Sequence, residues 1–313
     1  MSPRRNAAYS WPMGFAAPED TVLIGDGGLA TELEARGHDL ADPLWSARLL
    51  LDAPAEIGAV HAAFFAAGAT IATTASYQAS FDGFAARGID SAGTKRLLTR
   101  SVELARAAIP ADRPQRWVAA SVGPYGAALA DGSEYRGRYG MSVAQLAAWH
   151  RPRLEALAAA GPDVLALETV PDVDEAEALV GLVAELGLPA WLSYTVDGAR
   201  TRAGQPLAAA FAVAAGIPQI VAVGVNCCDP ADALGAIEAA RDATGKPAIV
   251  YPNSGERWEH RRWAGRRSFA PELAARWIAA GARIVGGCCR VRPADIAALA
   301  TTVESAATRK KFE

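Results

Sequence analysis

Eight short apolar runs alternate with helical patterns along this chain, and the alternation limits its fold more than any other feature. The runs are Val22–Gly25, Ala69–Thr73, Trp117–Val122, Val164–Leu167, Ala190–Tyr194, Ile220–Val225, Ala248–Tyr251 and Arg283–Gly286. Unbroken apolarity over so few residues suits parallel strands covered on both faces. Between them, Pro54–Ala67, Val143–Ala160, Asp174–Leu186, Pro230–Ala243 and Pro271–Ala280 repeat apolar residues at helical spacing. Several of these open on Pro or Asp, as helix N-termini do. Gly68, Gly161, Gly187 and Gly281 follow the helix ends, where glycine makes a left-handed cap most easily.

Eight βα units without a linker predict an α/β fold, a single (β/α)8 TIM-type barrel, with a doubly wound sheet as the alternative. Polar placement favours the barrel. Asp26, Thr73, Ser121, Glu168, Thr195, Asn226, Asn253 and Cys288 stand at or just beyond the C-terminal ends of the runs. A barrel gathers those ends around one pocket. The expected layout is a lead-in over 1–20, the barrel over 21–308 and a tail over 309–313. The connections Gly123–Gly140 and Asn253–Ser268 are the longest, and the second carries Trp258, Trp263 and several arginines. Both leave the active face, where long loops serve as lids or substrate walls.

A hydrophobic content of 51% fills a substantial core, and a net charge of −3 argues against a nucleic-acid partner. The longest apolar segment, Leu207–Ile217, falls short of the roughly 18 residues that span a bilayer. No signal-like core follows Arg4 and Arg5 before Pro18. A cytoplasmic protein without a membrane partner is expected. The four cysteines form two vicinal pairs, which fits metal or catalytic use better than a disulfide framework.

Those cysteines carry the chemistry. Gly224-Val225-Asn226-Cys227 and Gly286-Gly287-Cys288-Cys289 each end an apolar run. Three thiolates converging at two strand ends would hold a zinc ion (Zn2+) and leave one position open, the catalytic pattern rather than the closed structural one. Consecutive residues leaving a strand point apart, so Cys227 is expected at the metal and Cys228 away from it. Cys288 and Cys289 both reach it because the chain is turning there. A substrate thiol entering the open position would lose its proton at neutral pH.

Gly25-Asp26-Gly27-Gly28-Leu29-Ala30 resembles a dinucleotide loop, but Asp26 would stand beside a pyrophosphate. Asp26 suits an ammonium group better, with the Gly27 and Gly28 N–H groups facing a carboxylate. Glu168 ends an apolar run, where a buried carboxylate calls for a positive partner such as a substrate ammonium. The histidines His38, His61, His150 and His260 show no metal-ligand spacing, and His61 and His150 are expected as ordinary helix-face residues.

The chain resembles homocysteine S-methyltransferases. The likeness lies in Gly25-Asp26-Gly27-Gly28-Leu29-Ala30-Thr31-Glu32-Leu33, Pro43-Leu44-Trp45-Ser46, Thr74-Ala75-Ser76-Tyr77-Gln78 and Ser121-Val122-Gly123-Pro124-Tyr125-Gly126. It continues through Asp131-Gly132-Ser133-Glu134-Tyr135-Arg136-Gly137, the Asn226-Cys227 motif, Tyr251-Pro252-Asn253-Ser254-Gly255-Glu256 and Gly286-Gly287-Cys288-Cys289-Arg290. It spans nearly the whole chain and is nearest to the short enzymes that use S-methylmethionine or S-adenosylmethionine. The resemblance implies that Cys227, Cys288 and Cys289 ligate zinc, and that Asp26, Gly27, Thr73 and Glu168 hold homocysteine's amino and carboxylate groups. It implies that Trp45 and Tyr77 stand near the methyl donor. Thr169 replaces the tyrosine of betaine-using relatives, so water or Asn226 is expected at the open metal position.

The expected reaction passes a methyl group from a sulfonium to the thiol of homocysteine, forming methionine. Aromatic faces attract the cationic donor by roughly 0.5–2 kcal/mol per contact. Two rival readings follow from the same residues. One is a homocysteine-binding module serving a separate methyl-carrier protein; the other is a non-catalytic zinc-thiolate redox sensor using all four cysteines. A monomer or weak homo-oligomer is expected.

Overall fold

A computed structural model describes Phe15 and residues 21–42, 44–113, 115–259 and 262–309. The rest of the lead-in, the tail beyond residue 309, Pro43 and His260 lie outside the described residues. Each of the eight predicted runs forms a strand: Leu23–Ile24, Ile71–Thr73, Trp117–Val122, Val164–Val170, Ala190–Tyr194, Ile220–Asn226, Ala248–Tyr251 and Ala282–Val285. They are parallel and pair in sequence order, with the eighth returning to the first through Leu23↔Ile284 and Ile24↔Val285. The seam between first and second strands is bridged at Thr70. Its N–H donates to the Ile24 carbonyl at 2.7 Å and its hydroxyl accepts from the Ile24 N–H at 2.8 Å. The fold is a (β/α)8 barrel.

Side-chain alternation along the strands decides what reaches the pocket. On the fourth strand Leu165 and Leu167 face the helices, while Val164 and Ala166 face the interior. The next inward residue is Glu168. The same count carries the second strand from Ile71 to Thr73, the third from Ala119 to Ser121 and the seventh from Ile249 to Tyr251. Apolar side chains therefore fill the barrel's body and polar ones crown its C-terminal end. Phe15, fully buried, packs edge-on to Trp117 with ring centroids 5.5 Å apart and fills the opposite end.

Long helices such as Pro54–Ala66, Ser91–Ala107, Val143–Ala159 and Val173–Leu186 cover the outside. Gly68, Gly161, Gly187 and Gly281 all take the positive φ expected of caps. His61 and His150 are fully buried, a correction to their expectation as ordinary helix-face residues. Burial pushes the His61 imidazole down to about 4, so it packs as a neutral ring. His150 Nε2 lies 2.8 Å from Glu175 Oε1, and Arg153 donates to His150 Nδ1 at 2.9 Å.

The two long loops are built rather than plain. Gly123–Gly140 contains the short helix Tyr125–Leu129 and a 3-10 turn over Ser133–Tyr135. In the other, Arg257–Glu259 pairs antiparallel with Arg262–Ala264. A further hairpin, Val196–Asp197 with Arg200–Thr201, follows the fifth strand. Among the described residues no single helix is long and apolar enough to cross a membrane.

Candidate active site

The C-terminal ends of the strands surround a cavity of about 650 Å³, and every residue expected at the site lines it. Asp26, Gly27, Trp45, Thr73, Tyr77, Glu168, Asn226, Cys227, Cys288 and Cys289 all face this space. Of the polar strand-end residues, only Thr195 and Asn253 are absent from the wall. They brace it from behind: the Thr195 hydroxyl donates to the Cys227 carbonyl at 3.2 Å, and Asn253 Oδ1 accepts from the Cys289 N–H at 3.1 Å.

The sulfurs of Cys227, Cys288 and Cys289 all lie within 4.8 Å of one another. Each is placed by its backbone. Cys227 leaves the sixth strand with φ 48°, a left-handed turn that swings its sulfur toward the later pair. Cys228 then falls into the hydrophobic layer behind the strands, where burial pushes its thiol up. The Cys288 N–H donates to the Pro252 carbonyl at 2.8 Å, and the Gly287 N–H donates to the Asp26 carbonyl at 3.0 Å. Gly287 is required there, because a Cβ would lie 2.2 Å from Val291 Cγ1.

Cys289, receiving the Cys227 and Cys288 thiols as hydrogen-bond partners, is held well below the ordinary thiol value. Cys288 is pushed well above it, first by its bond to Cys227. Three soft sulfur donors this close together form a donor set suited to a thiophilic cation. The set has three members rather than four, since Cys228 is turned away.

Two buried carboxylates share the mouth. Asp26 is 5% exposed and Glu168 7%. Burial raises both to about 7, against hydrogen bonds from Thr73 in the first case and from Ser121 and Tyr251 in the second. Thr73 donates to Asp26 twice, from its N–H at 2.7 Å and its hydroxyl at 3.0 Å. Glu168 accepts from the Ser121 hydroxyl and, at 3.0 Å, from the Tyr251 hydroxyl. No Lys or Arg lines the cavity among the described residues. A bound ammonium would therefore ionise both acids.

The Gly27 N–H has no hydrogen-bond partner among the described residues, and a Cβ on Gly27 would sit 2.4 Å from the Val291 carbonyl oxygen. Gly28 corrects the expectation made for it. Its N–H donates to the Val291 carbonyl at 2.9 Å and is not free for a substrate carboxylate.

Asn226 joins the ends of three strands. Its Oδ1 accepts from the Thr169 N–H at 2.7 Å and from the Ser193 hydroxyl at 2.8 Å, and its Nδ2 donates to Thr169 Oγ1 at 2.7 Å. Both lone pairs of the amide oxygen are thus engaged within the protein. The expectation that this side chain serves an open metal position meets that obstacle. Trp45 and Tyr77 meet edge-on with centroids 6.2 Å apart, on the wall that also includes Tyr135 and Trp263.

Sequence reasoning passed over several participants. Tyr251 is expected as the end of a run and as part of a family motif, with no role at the site, yet its hydroxyl ties Glu168 to Trp191 Nε1 at 3.0 Å and to Ser193 Oγ at 2.6 Å. Its phase with Ile249 was the available signal. Gln78 and Glu134 also line the cavity; both stand in the family motifs, but without an assigned role.

Comparison with known proteins agrees with this geometry. The sequence profile described as homocysteine S-methyltransferase matches residues 23–303. A homocysteine S-methyltransferase of Escherichia coli strain K12 is 48% identical over 92% of this chain and 97% of its own length. The homocysteine S-methyltransferase YbgG of Bacillus subtilis strain 168 is 44% identical, over 92% of this chain and 96% of its own. The crystal structure of the E. coli homocysteine methyltransferase MmuM in its metallated form superposes with a TM-score of 0.81 at 48% identity. It covers 90% of this chain and 96% of that one.

Proposed function

The chain belongs to the homocysteine S-methyltransferase family, and we propose that its methyl donor is a sulfonium and its metal is zinc. S-methylmethionine is the first choice of donor and S-adenosylmethionine the second. The observation that carries this reading is the three-cysteine cluster opening onto a cavity that also holds two carboxylates and an aromatic wall.

Cys227, Cys288 and Cys289 are the residues to hold the zinc, which supplies the Lewis acidity that frees an acceptor thiol of its proton at neutral pH. An alkyl thiol unaided, with a pKa near 8.5, is only a few per cent thiolate at that pH. Asp26 and Glu168 would receive homocysteine's ammonium from two sides. Thr73 fixes the rotamer of Asp26, while Ser121 and Tyr251 fix Glu168. The Gly27 N–H, without a partner among the described residues, is available to the substrate carboxylate. Anchoring the amino-acid end in this way aims the sulfur at the cysteine cluster.

The donor's cationic sulfur is attracted to the faces of Trp45 and Tyr77. With both substrates held, acceptor sulfur, methyl carbon and leaving sulfur fall in line, and positioning rather than a protein base limits the rate. The methyl group leaves as an electrophile, the S–CH3 bonding pair stays with the donor sulfur, and the donor departs neutral at that atom. These substrates are small molecules and the enzyme is read as cytoplasmic.

The test is a donor panel with homocysteine as acceptor, with zinc measured on the same sample. Cys288→Ser is expected to lose both metal and turnover while keeping the far-ultraviolet circular dichroism of the wild type. An active, zinc-free Cys288→Ser protein would overturn the reading. Failure of the purified chain to use any sulfonium without a second protein would favour the carrier-dependent module instead.

A further inference from the structure

Two residues in one wall of the cavity each carry a buried hydrogen-bond acceptor that has no partner among the described residues. The acceptors are Oε2 of Glu134 and Oε1 of Gln78. Gln78 is 8% exposed, and its Nε2 donates to the Ala127 carbonyl at 3.0 Å, which fixes the amide's orientation. The two acceptors flank the same short helix, Tyr125–Leu129. Gly126 on that helix approaches the Glu134 backbone so closely that a Cβ would lie 2.5 Å from its nitrogen. This wall is therefore a packed surface, not a loose edge.

Unsatisfied buried acceptors destabilise a fold, more so when charged, unless a ligand supplies the donor. The chemistry of this pair asks for a cation with several N–H groups. Burial raises the Glu134 carboxyl above its usual range, and the nearby Asp131 and Cys227 add to that push. A cation brought to this wall would ease all of these repulsions. A sulfonium alone cannot satisfy the acceptors, because it has no N–H. Its partners are instead the rings of Trp45 and Tyr77, and Tyr77 immediately precedes Gln78 in the chain.

We propose that Glu134, assisted by Gln78, binds the α-ammonium of the methyl donor and restricts the donor class to α-amino sulfonium compounds. The assignment rests on the sulfonium-donor reading above and deepens it. Homocysteine's own ammonium is left to Asp26 and Glu168, so the two amino-acid ends have separate carboxylates.

A matched pair of donors tests this. S-methylmethionine and 4-(dimethylsulfonio)butyrate differ only by the α-ammonium. Wild-type enzyme is expected to prefer S-methylmethionine by kcat/KM, and Glu134→Gln to shrink that preference about 10- to 100-fold, the worth of one charge-assisted hydrogen bond. Gln78→Leu removes a neutral acceptor and shrinks it by about 3- to 10-fold. Glu134→Asp restores the charge and recovers part of the preference. Because the readout is a ratio, general damage to the fold cancels. A ratio unchanged in Glu134→Gln, or a wild type with no preference, overturns the proposal. If wild-type enzyme uses neither of these donors nor S-adenosylmethionine, the sulfonium reading itself has failed, and this assignment falls with it.

Discussion

Replacing Asn226 by alanine removes three hydrogen bonds at once, and the loss falls on the two strand ends that carry Glu168 and Cys227. The Thr169 N–H, buried and donating to Asn226 Oδ1 at 2.7 Å, has no alternative acceptor among the described contacts. Orphaning it costs about 1–3 kcal/mol. The Ser193 hydroxyl can turn to Tyr251, and Thr169 Oγ1 remains an acceptor without its donor; each of these bonds contributes about 0.5–1.5 kcal/mol. The sum is about 4 kcal/mol. At about 2 °C per kcal/mol for a domain of this size, the melting temperature should drop by roughly 8 °C.

The consequence for the site follows from position. Cys227, next in the chain, holds φ 48° with its N–H only loosely bound to the Tyr251 carbonyl at 3.3 Å. Without the clamp its sulfur should wander from Cys288 and Cys289, and metal affinity in a chelator competition should fall about 10-fold or more. A double-mutant cycle with Thr169→Val should show a coupling of about 1 kcal/mol, because the two side chains share a bond. An Asn226→Ala protein that melts within 2 °C of wild type (about 1 kcal/mol) and keeps its metal affinity would refute the reasoning.

Gly224→Ala should abolish soluble expression or metal binding, since its Cβ would stand 1.8 Å from the Ile249 carbonyl oxygen of the paired strand. Gly235→Ala, on the helix Ala233–Thr244 with nothing within 4 Å, should instead stabilise by about 0.5–1 kcal/mol in the same thermal assay. Burial raises the Glu168 carboxyl from its ordinary 4.5 to about 7, so the fold holds its proton more tightly. That contribution is complete below about 4.5 and disappears as pH rises through 7. Metal-free wild type should therefore lose about 3 kcal/mol relative to Glu168→Gln between pH 4.5 and 8 in urea titrations. A constant difference between the two proteins would contradict the burial argument, and the histidines, common to both, cancel.

The barrel was legible because parallel strands buried on both faces leave a continuous apolar signature, and because each run stops at a polar residue. The three-cysteine cluster was legible for a related reason: Gly286-Gly287 ahead of two cysteines has no use in a packed strand. The supporting residues were not legible, since their roles depend on neighbours far away in sequence. Tyr251 meets Glu168 across the barrel. Arg153, inside the helix Val143–Ala159, donates to the Gly123 carbonyl at 2.5 Å and reaches the Tyr77 carbonyl at 3.4 Å, pinning a site loop from behind. Neither contact has a local pattern. Phe15 filling the closed end of the barrel is equally silent in the sequence.

The fourth strand shows the limit most clearly. Its apolar run stops at Leu167, yet the strand continues to Val170, with pairing to the fifth strand shifting between Leu167 and Val170. The shift is taken up at Thr169, a β-branched residue at φ 58°. Such a conformation costs on the order of 1–3 kcal/mol and survives only where surrounding contacts outweigh it. Here both the N–H and the hydroxyl of Thr169 are bound by Asn226, the residue that also leads into the left-handed Cys227. One amide thus holds two strained turns, one just after Glu168 and the other at Cys227 itself. A glycine at either position would have relaxed the backbone and announced the turn in the sequence. Its added freedom would also have loosened the spacing between carboxylate and sulfur, on which the proposed grip on homocysteine by both ends would depend.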